Sequence, residues 1–201
     1  MLIFEINMKT KTTSGCMWPG QDPLMITYHD EEWGTPVYDD AKLFEFIVLD
    51  SFQAGLSWKT ILYKREHFKK AFDQFNAKKI AKYEEAKIQA LMLDAGIIRN
   101  QLKIRATVTN AIHFLRLQKE HGSFSNYIWQ FTNHEVIQNQ IQSHSEIPAI
   151  SAESDAMSKA LKKEGFKFVG STICYAFMQA AGMVNDHLCT CHRYKQLNKK
   201  Q

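Results

Sequence analysis

The sequence predicts an all-α protein, and three observations predict it. Apolar residues recur at helical spacing nearly throughout, no stretch of comparable length alternates with period two, and glycines fall where the helical runs stop. Leu43, Phe44, Ile47 and Val48 mark the buried face of one helix. Trp58, Ile61, Leu62, Phe68 and Phe72 mark the next, with Ser57 placed to cap it. Asn76 is placed to cap a short helix carrying Ile80 and Tyr83. Ile104, Val108, Ile112 and Leu115 recur before Gly122 stops the run. Ser154 opens the run DAMSKALKKE, which Gly165 ends, and TICYAFMQAA stops at Gly182. Residues 133–151 are the least regular and read as a connector.

The 201 residues leave room for one good-sized domain, or two small lobes sharing a core. Hydrophobic residues at 45% and charged residues at 23% exclude a disordered chain. No run of about 18 apolar residues is present, which excludes a spanning helix. The start MLIFEINMKTKTTSG lacks the basic region, long apolar stretch and cleavage site of a signal peptide. The expectation is a cytoplasmic monomer: a compact domain over residues 16–195, a loose extension at 1–15 and a basic tail at 196–201. The formal charge is +4, and its distribution says more than its size. Acidic residues gather early, as in Asp30-Glu31-Glu32 and Asp39-Asp40, while basic ones crowd Lys162, Lys163, Lys167 and the stretch from Arg193 to Lys200. A basic face of this kind leans toward nucleic acid.

Gly165-Phe166-Lys167-Phe168-Val169-Gly170 sits between two helices and is too short to be anything but a tight turn. Glycines at both ends permit positive φ and close approach to a ligand. The following helix opens with Ser171 and Thr172, offering free amides and hydroxyls at a positive dipole end. Such a turn suits the gripping of one DNA phosphate without reading sequence, the helix-hairpin-helix pattern. The more common reading of such a segment is an αα-hairpin with solvated lysines.

Four cysteines stand at 16, 174, 189 and 191, and disulfides are disfavoured in a cytosolic chain. Cys16 and His29 lie near the start; His187 and Cys191, near the end, are spaced to share one ion. Zinc accepts two thiolates and two imidazoles in a closed tetrahedron, whose role is structural. The Cys16-x12-His29 spacing is no recognised zinc signature, and Cys189 and His192 crowd the same region, so spacing leaves the ligand set open. Cys174, on an apolar helix face, reads as a small buried hydrophobe.

Trp18, Tyr28, Trp33 and Trp58 fall within the first 60 residues, and Asp50 stands alone after an apolar run. Indole and phenol faces stack on flat, electron-poor rings, and a carboxylate favours a cationic one. An alkylated, positively charged nucleobase fits that chemistry; a core of aromatics with a capping Asp fits the spacing equally well.

With QDPLMITYHDEEWG, QAGLSW, DAGIIRNQLKI and SKALKKEGFKFVGSTICYAFMQAAGMVNDH, the chain resembles the bacterial type I DNA-3-methyladenine glycosylases, within the helix-hairpin-helix group. The match runs from Cys16 to about Arg193. The resemblance implies a base-excision repair enzyme that flips 3-methyladenine out of duplex DNA and hydrolyses its N-glycosidic bond. It implies a hairpin at Gly165 to Gly170 within about residues 154–181, with Gly165, Lys167, Gly170, Ser171 and Thr172 on DNA. It implies one structural zinc on Cys16, His29, His187 and Cys191, leaving Cys189 and His192 free of it. The base pocket falls on Trp18, Tyr28, Trp58 and Asp50.

Two positions depart from the family pattern. Asp50 stands where glutamate is expected, withdrawing the charge by roughly 1.5 Å, about one carbon–carbon bond. Met25 stands where a pocket tyrosine is expected. The family lacks the catalytic aspartate of other helix-hairpin-helix glycosylases, so Asp186 reads as ordering the turn before His187 and backing the metal ligands. Two readings compete: a DNA-binding protein without catalysis, and a hydrolase using an open zinc.

Overall fold

The computed structural model describes residues 15–198. The fold is mostly helical, as the sequence predicts, with ten α-helices among the described residues: α1 (Pro23–Glu31), α2 (Asp40–Gln53), α3 (Trp58–Ala71), α4 (Ala77–Ile80), α5 (Glu85–Leu93), α6 (Gln101–His121), α7 (Phe124–Trp129), α8 (Ala152–Lys163), α9 (Ser171–Ala180) and α10 (His192–Leu197). Two residues at Ile137–Gln138 (β1) pair in parallel with Val184–Asn185 (β2), the only sheet among the described residues. No described helix is long and apolar enough to cross a membrane.

The central element is α2. Leu43, Phe44, Phe46, Ile47, Val48, Leu49 and Phe52 are all buried, so the helix is apolar nearly all round and must be enclosed by others. α3, α6, α7 and α9 surround it. The Asp39 side chain caps its start by accepting from the Lys42 amide at 2.8 Å. Asp40 reaches outward and accepts from the amides of Phe124 and Ser125, placing a carboxylate on the positive end of α7.

Some boundaries shift for local reasons. Ser57 and Asn76 cap α3 and α4 as expected, but α4 is a single turn, and Tyr83 lies beyond it with its hydroxyl on Asp73. The cap of α8 is Ser151 and not Ser154. The two serines, three residues apart, satisfy each other's amides, so Ser154 becomes the third helical residue. The connector at 133–151 is irregular apart from β1 and one 3₁₀ turn at His144–Glu146. Of the expected extension only Gly15 is described, and it packs on the Cys191 backbone, where a Cβ would stand 2.6 Å from the amide nitrogen. Gln196 and Leu197, placed in the tail, belong to α10.

The chain between α1 and α2 is zipped onto the end of α9: Gly34 N donates to Gln179 O, and Val37 N to Ala181 O. This brings Gly182, at φ +66°, into contact with the Thr35 backbone, where any Cβ would overlap it. Gly122, at φ +80°, has open space around it. Gly122→Ala is therefore expected to cost about 1 kcal/mol for backbone strain alone. Gly182→Ala should cost more than about 2 kcal/mol, because strain and overlap combine. Urea unfolding of both variants measures the difference, and equal losses would mean that this contact gives way freely.

Candidate active site

Cys16, His29, His187 and Cys191 converge as a fully buried group whose ligand atoms all lie within 4.8 Å of one another. His29 Nε2 is 3.1 Å from His187 Nδ1, and Cys191 Sγ is 3.6 and 3.7 Å from these nitrogens. Cys16 Sγ stands 3.8 Å from His187 Nδ1. A tetrahedron with zinc–nitrogen and zinc–sulfur bonds of about 2.0 and 2.3 Å has edges of roughly 3.3 to 3.8 Å. The donor set and its spacing therefore fit a zinc ion. The outward ring nitrogens are held as such a site requires: His29 Nδ1 lies 2.7 Å from Asp30 Oδ1, and His187 Nε2 lies 2.9 Å from the Trp33 carbonyl. The Leu188 amide donates to Cys16 Sγ. Cys189 and His192 lie outside the cluster, and Cys174 is buried beside the Val169 carbonyl.

Asp186 does not back these ligands. Its buried carboxylate instead accepts from Tyr175 Oη, Gln179 Nε2 and Asn139 Nδ2, at 2.7–2.8 Å. Asp30 and the Trp33 carbonyl hold the positions that the sequence reading gave it.

Beside the cluster lies a cavity of about 170 Å³ lined by Trp18, Tyr28, Trp33, Asp50, Trp58 and Gln179, with Gln53 and Ala176 completing it. All three aromatics expected in the base pocket, Trp18, Tyr28 and Trp58, meet there with Asp50. Trp18 packs edge-on against Tyr28 and Trp33, with centroids 6.3 and 5.1 Å away, and Tyr28 lies 4.9 Å from Trp58. α1 supplies Tyr28, α2 supplies Asp50, and the start of α3 supplies Trp58. Met25 is buried against Tyr28, Trp33 and Leu62, and it lines an outer groove with Trp18 and Trp58 rather than the cavity that holds Asp50.

Asp50 is 1% exposed, and its Oδ2 has no hydrogen-bond partner; the indole nitrogens of Trp18 and Trp58 are likewise buried and unpaired. Behind the carboxylate, Ile47, Leu161, Val169, Ile173 and Phe177 enclose a gap of about 10 Å³, at the lower limit for one water. Burial pushes the Asp50 carboxyl well above the usual carboxylate range, and Arg65 pulls it back only in part. Arg65 is already committed, with both terminal nitrogens on Glu32 and Nε on Glu45 at 2.6–2.8 Å. Burial, then the charge of Asp50, raises the Tyr28 hydroxyl as well.

The turn between α8 and α9 is held from behind. Asn110 accepts from the Lys167 amide and donates to its carbonyl, and Ser158 Oγ donates to Val169 O. Gly165 takes φ +98°, as expected, but its close approach is to His113. Gly170 does not need positive φ: it is the extended N-cap of α9, at φ −65°. The left-handed residue is Phe168, at φ +57°, over whose ring Lys103 Nζ sits 5.8 Å from the centroid. No side chain caps α9, so the amides of Ser171 and Thr172 stay available, and Lys167 and Thr172 are exposed.

Trp33, Gln53, Ala176 and Gln179 line the cavity without having been assigned to it from sequence. Gln179 carried a signal, as a long polar side chain in the otherwise apolar TICYAFMQAA.

Residues 18–194 match the family model described as methyladenine glycosylase. The chain is 51% identical to DNA-3-methyladenine glycosylase 1 of Escherichia coli (strain K12), over 89% of this chain and 96% of that one. A crystal structure of 3-methyladenine DNA glycosylase I superposes with a TM-score of 0.87 at 48% identity, covering 89% of this chain and 98% of the other. A Staphylococcus aureus 3-methyladenine DNA glycosylase I, in a structure describing 3-methyladenine recognition, gives a TM-score of 0.86 at 35% identity, over 89% and 95%. With its helical frame, its buried carboxylate among aromatics and these likenesses, the chain belongs to the methyladenine glycosylase family.

Proposed function

We propose that this protein excises 3-methyladenine from alkylated duplex DNA, hydrolysing the N-glycosidic bond and leaving an abasic site. The observation that carries the mechanism is Asp50, a buried and unpaired carboxylate facing a cavity walled by aromatic rings. A buried charge without a partner is costly, and the ligand that relieves it is a flat cation. Methylation at N3 makes adenine such a cation and, equally, a good leaving group. The hydrolytic task is then light, and no strong general base is needed. Asp50 complements the base charge, Trp58 and Tyr28 contact its faces, and Trp18 closes the side next to the metal cluster. Met25 supports these rings from the outer groove.

The nucleotide has to leave the stack to reach this cavity. In the proposed reading the α8–α9 turn is a helix-hairpin-helix grip. Ser171 and Thr172 offer amides and hydroxyls to a phosphate, Gly165 and Gly170 shape the approach, and Lys167 adds charge without reading sequence. The working unit is residues 16–195, a monomer acting on DNA in the cytoplasm. One zinc ion on Cys16, His29, His187 and Cys191 would supply a closed cross-link with no open position for chemistry.

Four outcomes test this reading. Mass spectrometry of bases released from methylated duplex DNA is expected to show 3-methyladenine, with 7-methylguanine left in place. Free base absent from protein that binds that DNA would overturn it. Asp50→Asn should lower release about 100-fold, the scale for removing one preorganised electrostatic contact. The same variant should be the more heat-stable protein at pH 8. With the Asp50 pKa raised in the fold, the folded chain holds one proton more than the unfolded chain above about pH 4. Stability therefore falls as pH rises from there until Asp50 ionises, and the variant's advantage should vanish toward pH 4. Melting curves across pH check the sign. Chelation, or Cys191→Ala, should lower the melting temperature by roughly 10 °C or more; an unchanged midpoint would count against the zinc.

A further inference from the structure

We infer that Gln179 is a specificity residue that reads the exocyclic amine of the flipped base, and that buried Asp186 positions it for that task. The inference rests on the glycosylase reading and names how the cavity tells one cationic purine from another. N3-methylated adenine and N3-methylated guanine both carry positive charge, so Asp50 and the aromatic walls favour both. They differ at C6. Adenine presents an amine, a donor; guanine presents a carbonyl, an acceptor.

Gln179 lines the cavity from α9. A glutamine side chain offers one donor end and one acceptor end, and its usefulness depends on which end is turned toward the ligand. Here the choice is fixed from behind. Asp186 is 1% exposed, and a carboxylate can only accept, so the end of Gln179 that meets it at 2.8 Å has to be Nε2. Asp186 cannot turn away, because Tyr175 Oη holds Oδ2 at 2.8 Å and Asn139 Nδ2 holds Oδ1 at 2.7 Å. Asn139 belongs to the connector, Tyr175 to α9, and Asp186 follows β2, so three separate segments fix one amide. With Nε2 committed, Oε1 takes no hydrogen bond from the described protein and is the end left to the cavity. Turned toward C6 of the base, it accepts from the adenine amine. Opposite a guanine carbonyl it would set two acceptors face to face, leaving both unpaired in a water-poor site.

The experiment is competition within one substrate. Duplex DNA treated with a methylating agent contains both N3-methylated purines, and mass spectrometry quantifies each free base over time. Gln179→Met keeps the length of the side chain and removes both polar ends. It is expected to lower kcat/KM for 3-methyladenine about tenfold while 3-methylguanine changes by less than about twofold. Asp186→Asn supplies a donor behind Gln179, so the amide can reverse and hand Nε2 to the cavity. Release of 3-methylguanine should then rise in absolute terms, which loosened packing alone would not produce. A ratio of the two bases unchanged in Gln179→Met overturns the inference, as does a loss shared equally by both. If Asp186→Asn does not fold, Gln179→Met decides alone. Wild-type protein that releases neither base overturns the glycosylase reading and this inference with it; wild-type release with an unshifted ratio overturns this inference only.

Discussion

Closure of the two chain ends is the constraint on which the rest of this molecule depends. Cys16 and His187 are 171 positions apart in sequence and 3.8 Å apart in space. Drawing together ends so distant carries an entropic cost that grows only slowly with loop length, so one well-made tie is an efficient device. What is tied is the wall of the cavity. Trp18 follows Cys16 by two residues, Tyr28 precedes His29, and Trp33 offers its carbonyl to His187. The main core lies elsewhere, around α2, while Cys16, Cys191, Leu188 and Ile141 form a small satellite cluster. The four buried donors, a group with the spacing to hold a metal ion, meet within that satellite, and glycines at 15 and 34 let the backbone come close to Cys191 and to the His187 ring.

Asp50 imposes the opposite economy. It sits in a helix buried nearly all round, and nothing in the described fold satisfies Oδ2. Arg65 is near enough to influence it, yet Glu32 and Glu45 have already claimed that guanidinium. The free protein consequently holds Asp50 toward its neutral form, and in the proposed reading an incoming cation restores the charge. A pocket filled by a fixed internal cation would be more stable and would have nothing left to offer the base. Sites that bind charge in a dry cavity commonly give up stability in this way.

The helical frame was legible because amphipathic periodicity is strong in α2, α3, α6, α8 and α9. The short helices α5 and α7, along with α1 and α10, carry little periodic signal, and their place is set by neighbours. Spacing alone left the cluster open, since nothing local joins Cys16 to His29; the family resemblance named the four residues that the fold then brings together. Met25 shows the limit of carrying a position over by resemblance. Its place on α1 turns it to the outer groove, while the residue one helical turn on, Tyr28, enters the cavity. Gly170 was read for a freedom that Phe168 uses instead, because Lys103 and Asn110 fix the turn from α6, a contact that no local pattern encodes. Gln179 needed the same kind of knowledge: its role depends on Asp186, which comes after the helix has ended.

Helix α9 links these features mechanically. Its first residues supply the open amides, and Ala176 and Gln179, three apart on one face, supply part of the cavity wall. Gln179 stands eight positions after Ser171, which at about 1.5 Å each is roughly 12 Å along a rigid rod. In the proposed reading, the distance from a gripped phosphate to the extruded base is therefore set by a single helix and not by a loop. That rod is fixed at both ends, by Ser158 on the Val169 carbonyl before it and by Gly34 on the Gln179 carbonyl near its close. Asp50 packs against its middle through Ile173 and Phe177. A shift of α9 would move its uncapped first amides, the carboxylate's backing and the amide of Gln179 together. These three features are thus held in one register by the same ten residues.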